Sequence, residues 1–304
     1  MTRNKVASLA LGLTLGALAG VGAYGHRQTR RLVLERPTIR IAGALRAPAT
    51  LQVLHLCDMH LRRRQPLVDR LITLIDGLQY DLALVSGDLA DNAVGREAAL
   101  EVLRHLKGRL GNFAVPGNHD RRRYSFLDVF RSTINEPLGG PISQGAPFAL
   151  DEFAERMAEA GVQLLRNESV PLDLPEGTLW LLGLDDEHSG YHDVSATLRD
   201  VPAGAAQIMF THSPDALPEV AAAGVPLLLA GHTHGGQIIL PGLGALQSRS
   251  RLRLKYPFGL YRCGQSLLYI NRGAGGSMPL RINCPPELAL IELHIEPASP
   301  APEA

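Results

Sequence analysis

The chain has 304 residues, 45% of them hydrophobic and 20% charged. This composition supports a sizeable core and excludes global disorder, collagen, a coiled coil and a multi-span membrane protein. Thirty Lys and Arg balance thirty Asp and Glu, and the three cysteines (Cys57, Cys263, Cys284) form no C-x-x-C pair, so a nucleic-acid coat and a disulfide framework are excluded as well.

The charge is unevenly spread. Residues 1–64 carry 11 Lys or Arg against 2 Asp or Glu, leaving 19 against 28 for the remainder. Within this basic front end, residues 6–24 hold no charge. As a helix at about 1.5 Å per residue they would span roughly 28 Å, enough for a hydrocarbon core. We expect residues 1–36 to be a membrane anchor or signal segment with a basic flank. The apolar stretch exceeds the roughly 7–15 residues usual in a signal peptide and lacks an A-x-A site, which favours an uncleaved single span over export. The more basic downstream flank would then leave the main domain facing the cytoplasm. Gly12, Gly16 and Gly20 recur every fourth residue and would suit a weak homodimer through paired helices.

From residue 37 to 296 the pattern predicts one α/β domain. Strands are expected at 38–45, 51–57, 82–86 and 112–115, with helices at 66–78 and 96–107 between them. Residues 135–147, rich in Gly and Pro, read as a loop or flap. A helix is expected at 151–160, ended by Gly161. Further strands are expected at 169–172, 178–184, 206–210, 226–230, 236–240, 266–271 and 287–295, with a helix at 215–223. Residues 297–304 read as a disordered tail.

Five apolar strands end in polar clusters: Asp58-Met59-His60, Gly87-Asp88-Leu89-Ala90-Asp91, Gly117-Asn118-His119-Asp120, Thr211-His212 and Gly231-His232-Thr233-His234-Gly235-Gly236. Strand ends of an α/β sheet gather on one edge, where ligands bind. Imidazole and carboxylate together suit Mn, Fe or Zn. So many donors exceed one ion's needs and fit two ions about 3.5–4 Å apart.

This set, D-x-H, G-D-x-x-D, G-N-H-D, a lone His and G-H-T-H, resembles the calcineurin-like metallophosphoesterases. The resemblance covers residues 48–295. The run Gly-His-Thr-His-Gly-Gly-Gln-Ile, then Asn271-Arg272-Gly273, then residues 279–288 (PLRINCPPEL) is similar to the bacterial, membrane-anchored YkuE/YaeI-type branch. That branch is related to enzymes that cleave UDP-2,3-diacylglucosamine. The resemblance implies a four-layer α-β-β-α sandwich with its active site at the strand C-terminal ends. It implies two divalent metal ions, Mn foremost, with Fe, Zn or Mg as alternatives. Asp58, His60 and His234 would hold the first, Asn118, His212 and His232 the second, and Asp88 would bridge them. A hydroxide shared by both would attack phosphorus. His119 would protonate the leaving group or donate a hydrogen bond to a phosphoryl oxygen, oriented by Asp91, with Asp120 as the rival partner. Met59 stands where many relatives carry Leu.

Two arginine triplets leave these strand ends. Arg62, Arg121 and Arg122 are the substrate-binding candidates for phosphate or an anionic headgroup; solvated loop charge is the alternative. His55 reads as a satisfied core residue. His188 and His192 read as loop histidines, or else as pocket lining. Residues 242–258 mix Leu and aromatic residues with Arg249, Arg251, Arg253 and Lys255, an ordinary surface loop or an apolar, basic cap beside the metals. The expected activity is hydrolysis of a phosphodiester or pyrophosphate bond in a lipid-linked or nucleotide-sugar substrate, with no nucleic acid partner. A soluble diester, or a non-catalytic membrane scaffold of the same fold, is the alternative.

Overall fold

The computed structural model describes residues 3–124, 146–276 and 278–297, with no account of the side chains of 3–13 and 18. The expected flap therefore lies outside the described residues up to 145, and the expected tail from 298 on.

Two sheets form. The first contains β1 (Val33–Glu35), β2 (Thr38–Gly43), β3 (Ala49–Leu56), β4 (Leu82–Ser86), β5 (Gly111–Val115), β8 (Gln163–Leu164) and β17 (Glu287–Pro297). Strands β3, β4, β5 and β8 run parallel, and β17 lies antiparallel to β3. The second has the order β15 (Gly259–Cys263), β16 (Ser266–Ile270), β12 (Leu227–Ala230), β11 (Ala206–Phe210), β10 (Gly177–Gly183), β9 (Glu168–Leu174). It is parallel from β10 to β16 and antiparallel at both edges. Two short ribbons, β6 (Arg122–Arg123) with β7 (Ala146–Pro147) and β13 (Ile239–Leu240) with β14 (Gly244–Ala245), decorate the loops.

Successive strand side chains point to opposite faces, and the burial follows that rule. Leu51 and Val53 of β3 pack with Leu227 and Leu229 of β12 between the sheets. Leu54 and Leu56 face outward onto α2 (Pro66–Asp76), α3 (Ala93–Leu103) and α5 (Leu150–Glu159), through Leu71, Ile75, Val102, Phe153 and Met157. On the far side, Leu228 and Ala230 meet α6 (Val194–Leu198) and α7 (Leu217–Ala222) through Val194, Leu217 and Val220. Four layers result, helix, sheet, sheet, helix. Pro66 opens α2, where its fixed φ costs nothing. The Asn92 side chain caps α3 by accepting from Gly95 N at 2.8 Å.

The expected N-terminal membrane span, with the catalytic domain on the cytoplasmic side, is corrected here. Residues 3–28 do form a helix, α1 (Arg3–Gln28), yet among the described residues no helix is long and apolar enough to cross a membrane. Freedom from charge over residues 6–24 was the ground for that expectation, and it does not by itself make a span. The expected strand 236–240 shrinks to Ile239–Leu240, because His234–Gly236 is a 3₁₀ turn with Gly235 at φ 62°.

Candidate metal centre

The polar clusters at the ends of β3, β4, β5, β11 and β12 meet at one edge of the sandwich. The chain turns sharply there. Asp58, His60, Asp88, His232 and His234 have φ of 53°, 46°, 54°, 67° and 52°, a left-handed conformation that non-glycine residues rarely adopt and that persists only where surroundings impose it. The imposing contacts are backbone bonds between neighbouring loops: Asp58 N to Gly87 O at 2.9 Å and His60 N to Asp88 O at 3.0 Å. The motif glycines permit this closeness. A Cβ on Gly117 would lie 2.3 Å from Asp88 Oδ1, and one on Gly231 would lie 2.4 Å from Asp58 Oδ2.

The side chains converge on Asp88. Its Oδ2 lies 3.4 Å from His60 Nε2 and 3.4 Å from His212 Nε2. On one side, His60 Nε2 is 3.1 Å from His234 Nε2, which is 3.8 Å from Asp58 Oδ1. On the other, His212 Nε2 is 3.0 Å from His232 Nδ1 and 3.2 Å from Asn118 Oδ1. Facing ring nitrogens and carboxylate oxygens cannot all satisfy one another by hydrogen bonds; divalent cations between them would. In His60 and His212 the outer ring nitrogen is held as metal-ligating histidines require, whereas the buried His234 Nδ1 has no partner among the described residues. His60 Nδ1 meets Asp91 Oδ1 at 2.8 Å, and His212 Nδ1 meets the Ser86 carbonyl at 2.9 Å. Both leave Nε2 for the centre.

Burial pushes the Asp88 carboxyl up to about 7, with Asp58 and Asp120 adding to the effect against the pull of His212 and His119. Burial also holds His232 and His234 well below the usual imidazole value, so both are neutral donors at pH 7. Asp91 differs: burial works to raise it, but His60 and His119 hold it well below the carboxylate range.

His119 sits beside this hub. Its Nδ1 meets Asp91 Oδ1 at 2.8 Å, and its ring centroid is 4.6 Å from that of Tyr124. It also groups with His60 and Asp88 closely enough to share an ion. Asp120, the rival partner, faces elsewhere and accepts from Asp88 N, Gly117 N and Leu89 N at 2.7, 2.9 and 3.0 Å. Arg62 donates from Nε to Asp91 Oδ2 at 2.7 Å. Arg121 pairs with Asp185 and stacks over Tyr191 at 4.3 Å. Arg122 lies in the ribbon beside Pro147.

Two further residues reach the site. The His188 ring stands 4.7 Å from that of His232, with its backbone N held by Asp186 Oδ1, and Tyr124 covers His119. For His188 the usable signal was its place after β10, another strand ending on this edge. His192 instead pairs with Glu219. His55 is the expected core residue, bonded to Ser86 Oγ at 2.8 Å and pushed down to about 3 by burial. In the 242–258 segment, Leu243 and Leu246 are exposed by 75% and 63%, while Asp215 anchors Ser250 and Arg251.

A model of the calcineurin-like phosphoesterase family matches residues 51–236. The chain is 28% identical over 291 residues to the uncharacterized metallophosphoesterase YkuE of Bacillus subtilis, covering 92% of this chain and 93% of that one. It is 29% identical to the phosphodiesterase YaeI of Escherichia coli, covering 81% and 83%. It is 27% identical to the UDP-2,3-diacylglucosamine pyrophosphatase LpxG of Chlamydia trachomatis, covering 81% and 84%. The chain belongs to the calcineurin-like phosphoesterase family and is a metal-dependent phosphoester hydrolase.

Proposed function

We propose that the chain hydrolyses a phosphodiester or pyrophosphate bond at a two-metal centre. Asp58, His60 and His234 would hold one divalent ion, Asn118, His212 and His232 the other, and Asp88 lies where it would serve both. The observation that carries this is the Asp88 Oδ2 atom, 3.4 Å from an Nε2 on each side. The mixed imidazole, carboxylate and amide donors suit Mn, with Fe or Zn close behind. Bound there, the ions supply Lewis acidity and lower the pKa of water.

The protein's own groups do the rest. Asp88 and Asp58 would balance the cationic charge of the bound ions. His119, with Nδ1 committed to Asp91, keeps Nε2 for the departing oxygen and carries the proton to it. Asp91 stabilises the charged imidazole during that transfer. Arg62 and Arg121, at the same edge, add positive charge for phosphoryl oxygens.

The substrate we propose is a nucleotide-sugar or lipid-linked diphosphate of the UDP-2,3-diacylglucosamine type. The similarity to LpxG supports it, as does the exposed Leu243 and Leu246 pair in a segment that also carries four basic side chains. The test is hydrolysis by the full-length protein with Mn²⁺ of a panel: UDP-2,3-diacylglucosamine, its deacylated analogue and bis-p-nitrophenyl phosphate. Preference for the acylated diphosphate is expected. Equal turnover of the two UDP-sugars would return the assignment to a soluble diester.

A further inference from the structure

Arg281 is the largest fully buried side chain, 1% exposed. Among the described residues no carboxylate lies within ion-pair distance of it. Five backbone carbonyls surround it instead: His234 and Cys284 accept from Nη1, both at 3.2 Å, and Arg272, Gly273 and Gly275 accept from Nη2 at 2.8, 3.3 and 2.6 Å. Burying a cation without a counter-charge is costly, so the arrangement calls for a reason.

The carbonyls it gathers belong to the walls of one half of the centre. His234 is itself a ligand candidate. Residues 273–275 wrap Asp58: Gly275 N donates to Asp58 O at 2.8 Å, and a Cβ on Gly273 would lie 2.6 Å from Asp58 Cβ. Asp58 and His234 both hold left-handed backbones, which need such over-determination. Arg281 makes no hydrogen bond to Asn118, His212 or His232. Its own backbone is held from the other end of the chain. Arg281 N donates to Gly25 O at 3.1 Å, the Tyr24 hydroxyl donates to Asn283 Oδ1 at 3.3 Å, and His26 Nδ1 lies 3.4 Å from Pro279 O. A Cβ on Gly25 would fall 2.3 Å from Leu280 Cδ1.

We propose that Arg281 is a positioning residue for the ligand pair Asp58 and His234, and that the C-terminal end of α1 buttresses it. The inference rests on the two-metal reading above. The planar fork reaches two carbonyl groups at once, as a point charge cannot. Losing a residue that orients ligands typically lowers metal affinity about 10–100-fold.

The experiment is calorimetric titration of the metal-stripped full-length protein with Mn²⁺. The wild type should bind two ions. Arg281→Met should weaken one site by about 10–100-fold and leave the other unchanged, and Arg281→Lys should fall between. Gly25→Val, which pushes on Leu280 without touching the centre, should weaken the same site by a smaller factor. If Arg281→Met does not fold, Arg281→Lys and Gly25→Val carry the test. Unchanged affinities, or equal weakening of both sites, would overturn the proposal. A wild type that binds fewer than two ions would instead overturn the two-metal reading itself.

Discussion

The two sheets bring different chemistry to a shared edge. The first contributes Asp58, His60, Asp88, Asn118 and His119, and charged groups buttress them: Asp91 braces two of the imidazoles and Asp120 gathers three backbone N–H donors. The second contributes His212, His232 and His234, with His188 beside them. A neutral group, the Ser86 carbonyl, backs the His212 ring. The Thr233 hydroxyl fixes the turn that carries the other two by bonding Pro257 O and Gly235 N, while Asp58 holds the His232 N–H and Arg281 the His234 carbonyl. Burial keeps His232 and His234 uncharged. In the proposed centre, one sheet would thus supply the negative charge that two cations require, and the other lone pairs. Damage on the first sheet should strike charge and proton transfer, and damage on the second should strike geometry.

Asp88→Asn is the most severe way to break this contrast. Asp88 is the one carboxylate that reaches histidines of both sheets. The amide keeps the shape and loses the charge. Hydrolysis of bis-p-nitrophenyl phosphate should nearly vanish, and elemental analysis should find fewer than two ions per chain. Full metal content with a normal rate would remove the basis for a shared ligand.

His119→Ala should cost about 10²–10⁴-fold in rate, the usual contribution of a general acid, with metal content intact. The deficit should shrink as the leaving group improves, because a good leaving group needs no proton. Loss of an ion would instead assign His119 to the His60 and Asp88 grouping.

Asp91→Asn should be milder and should show both faults. Asp91 Oδ1 is shared by His60 Nδ1 and His119 Nδ1. Metal affinity should fall about 10–100-fold, as for other partners of metal-bound histidines. In a double-mutant cycle with His119→Ala the rate effects should be less than additive. Strict additivity would mean that Asp91 serves His60 alone.

The candidate ligands were legible as clusters because each cluster follows an apolar strand, and the strand ends of a sheet share an edge. The alternation of strand and helix made one α/β domain legible; the four layers came only with the family resemblance. Other features depend on contacts far apart in sequence. Strand β1 has three residues, and its place is set by β17, Val33 lying opposite Glu287. Strand β15 is a half-exposed edge hidden in a basic, Gly-containing stretch. In the sequence, Arg281 is one residue of the 279–288 run with no role of its own; that role shows only where the carbonyls of residues 234, 272, 273, 275 and 284 close around it. The membrane reading of α1 rested on freedom from charge, which does not by itself make a span.

The smallest effect tests the neutral side of the contrast. Thr233 is fully buried between His232 and His234. Its hydroxyl donates to Pro257 O at 2.7 Å and accepts from Gly235 N at 3.2 Å, tying the histidine turn to the segment above it. Thr233→Val keeps the branched shape and removes both bonds, leaving a buried carbonyl and a buried N–H unmatched. Such groups cost about 1–3 kcal/mol, so thermal unfolding should shift down by a few degrees while both metal sites survive. Asp120→Asn is the matched change on the first sheet. It weakens three bonds to an ionised acceptor, and bonds to charged groups contribute about 1.5–3 kcal/mol each against about 1 for neutral ones. Its unfolding midpoint should therefore fall further than that of Thr233→Val. An equal or smaller shift for Asp120→Asn would mean that charge is not what distinguishes the support of the two sheets.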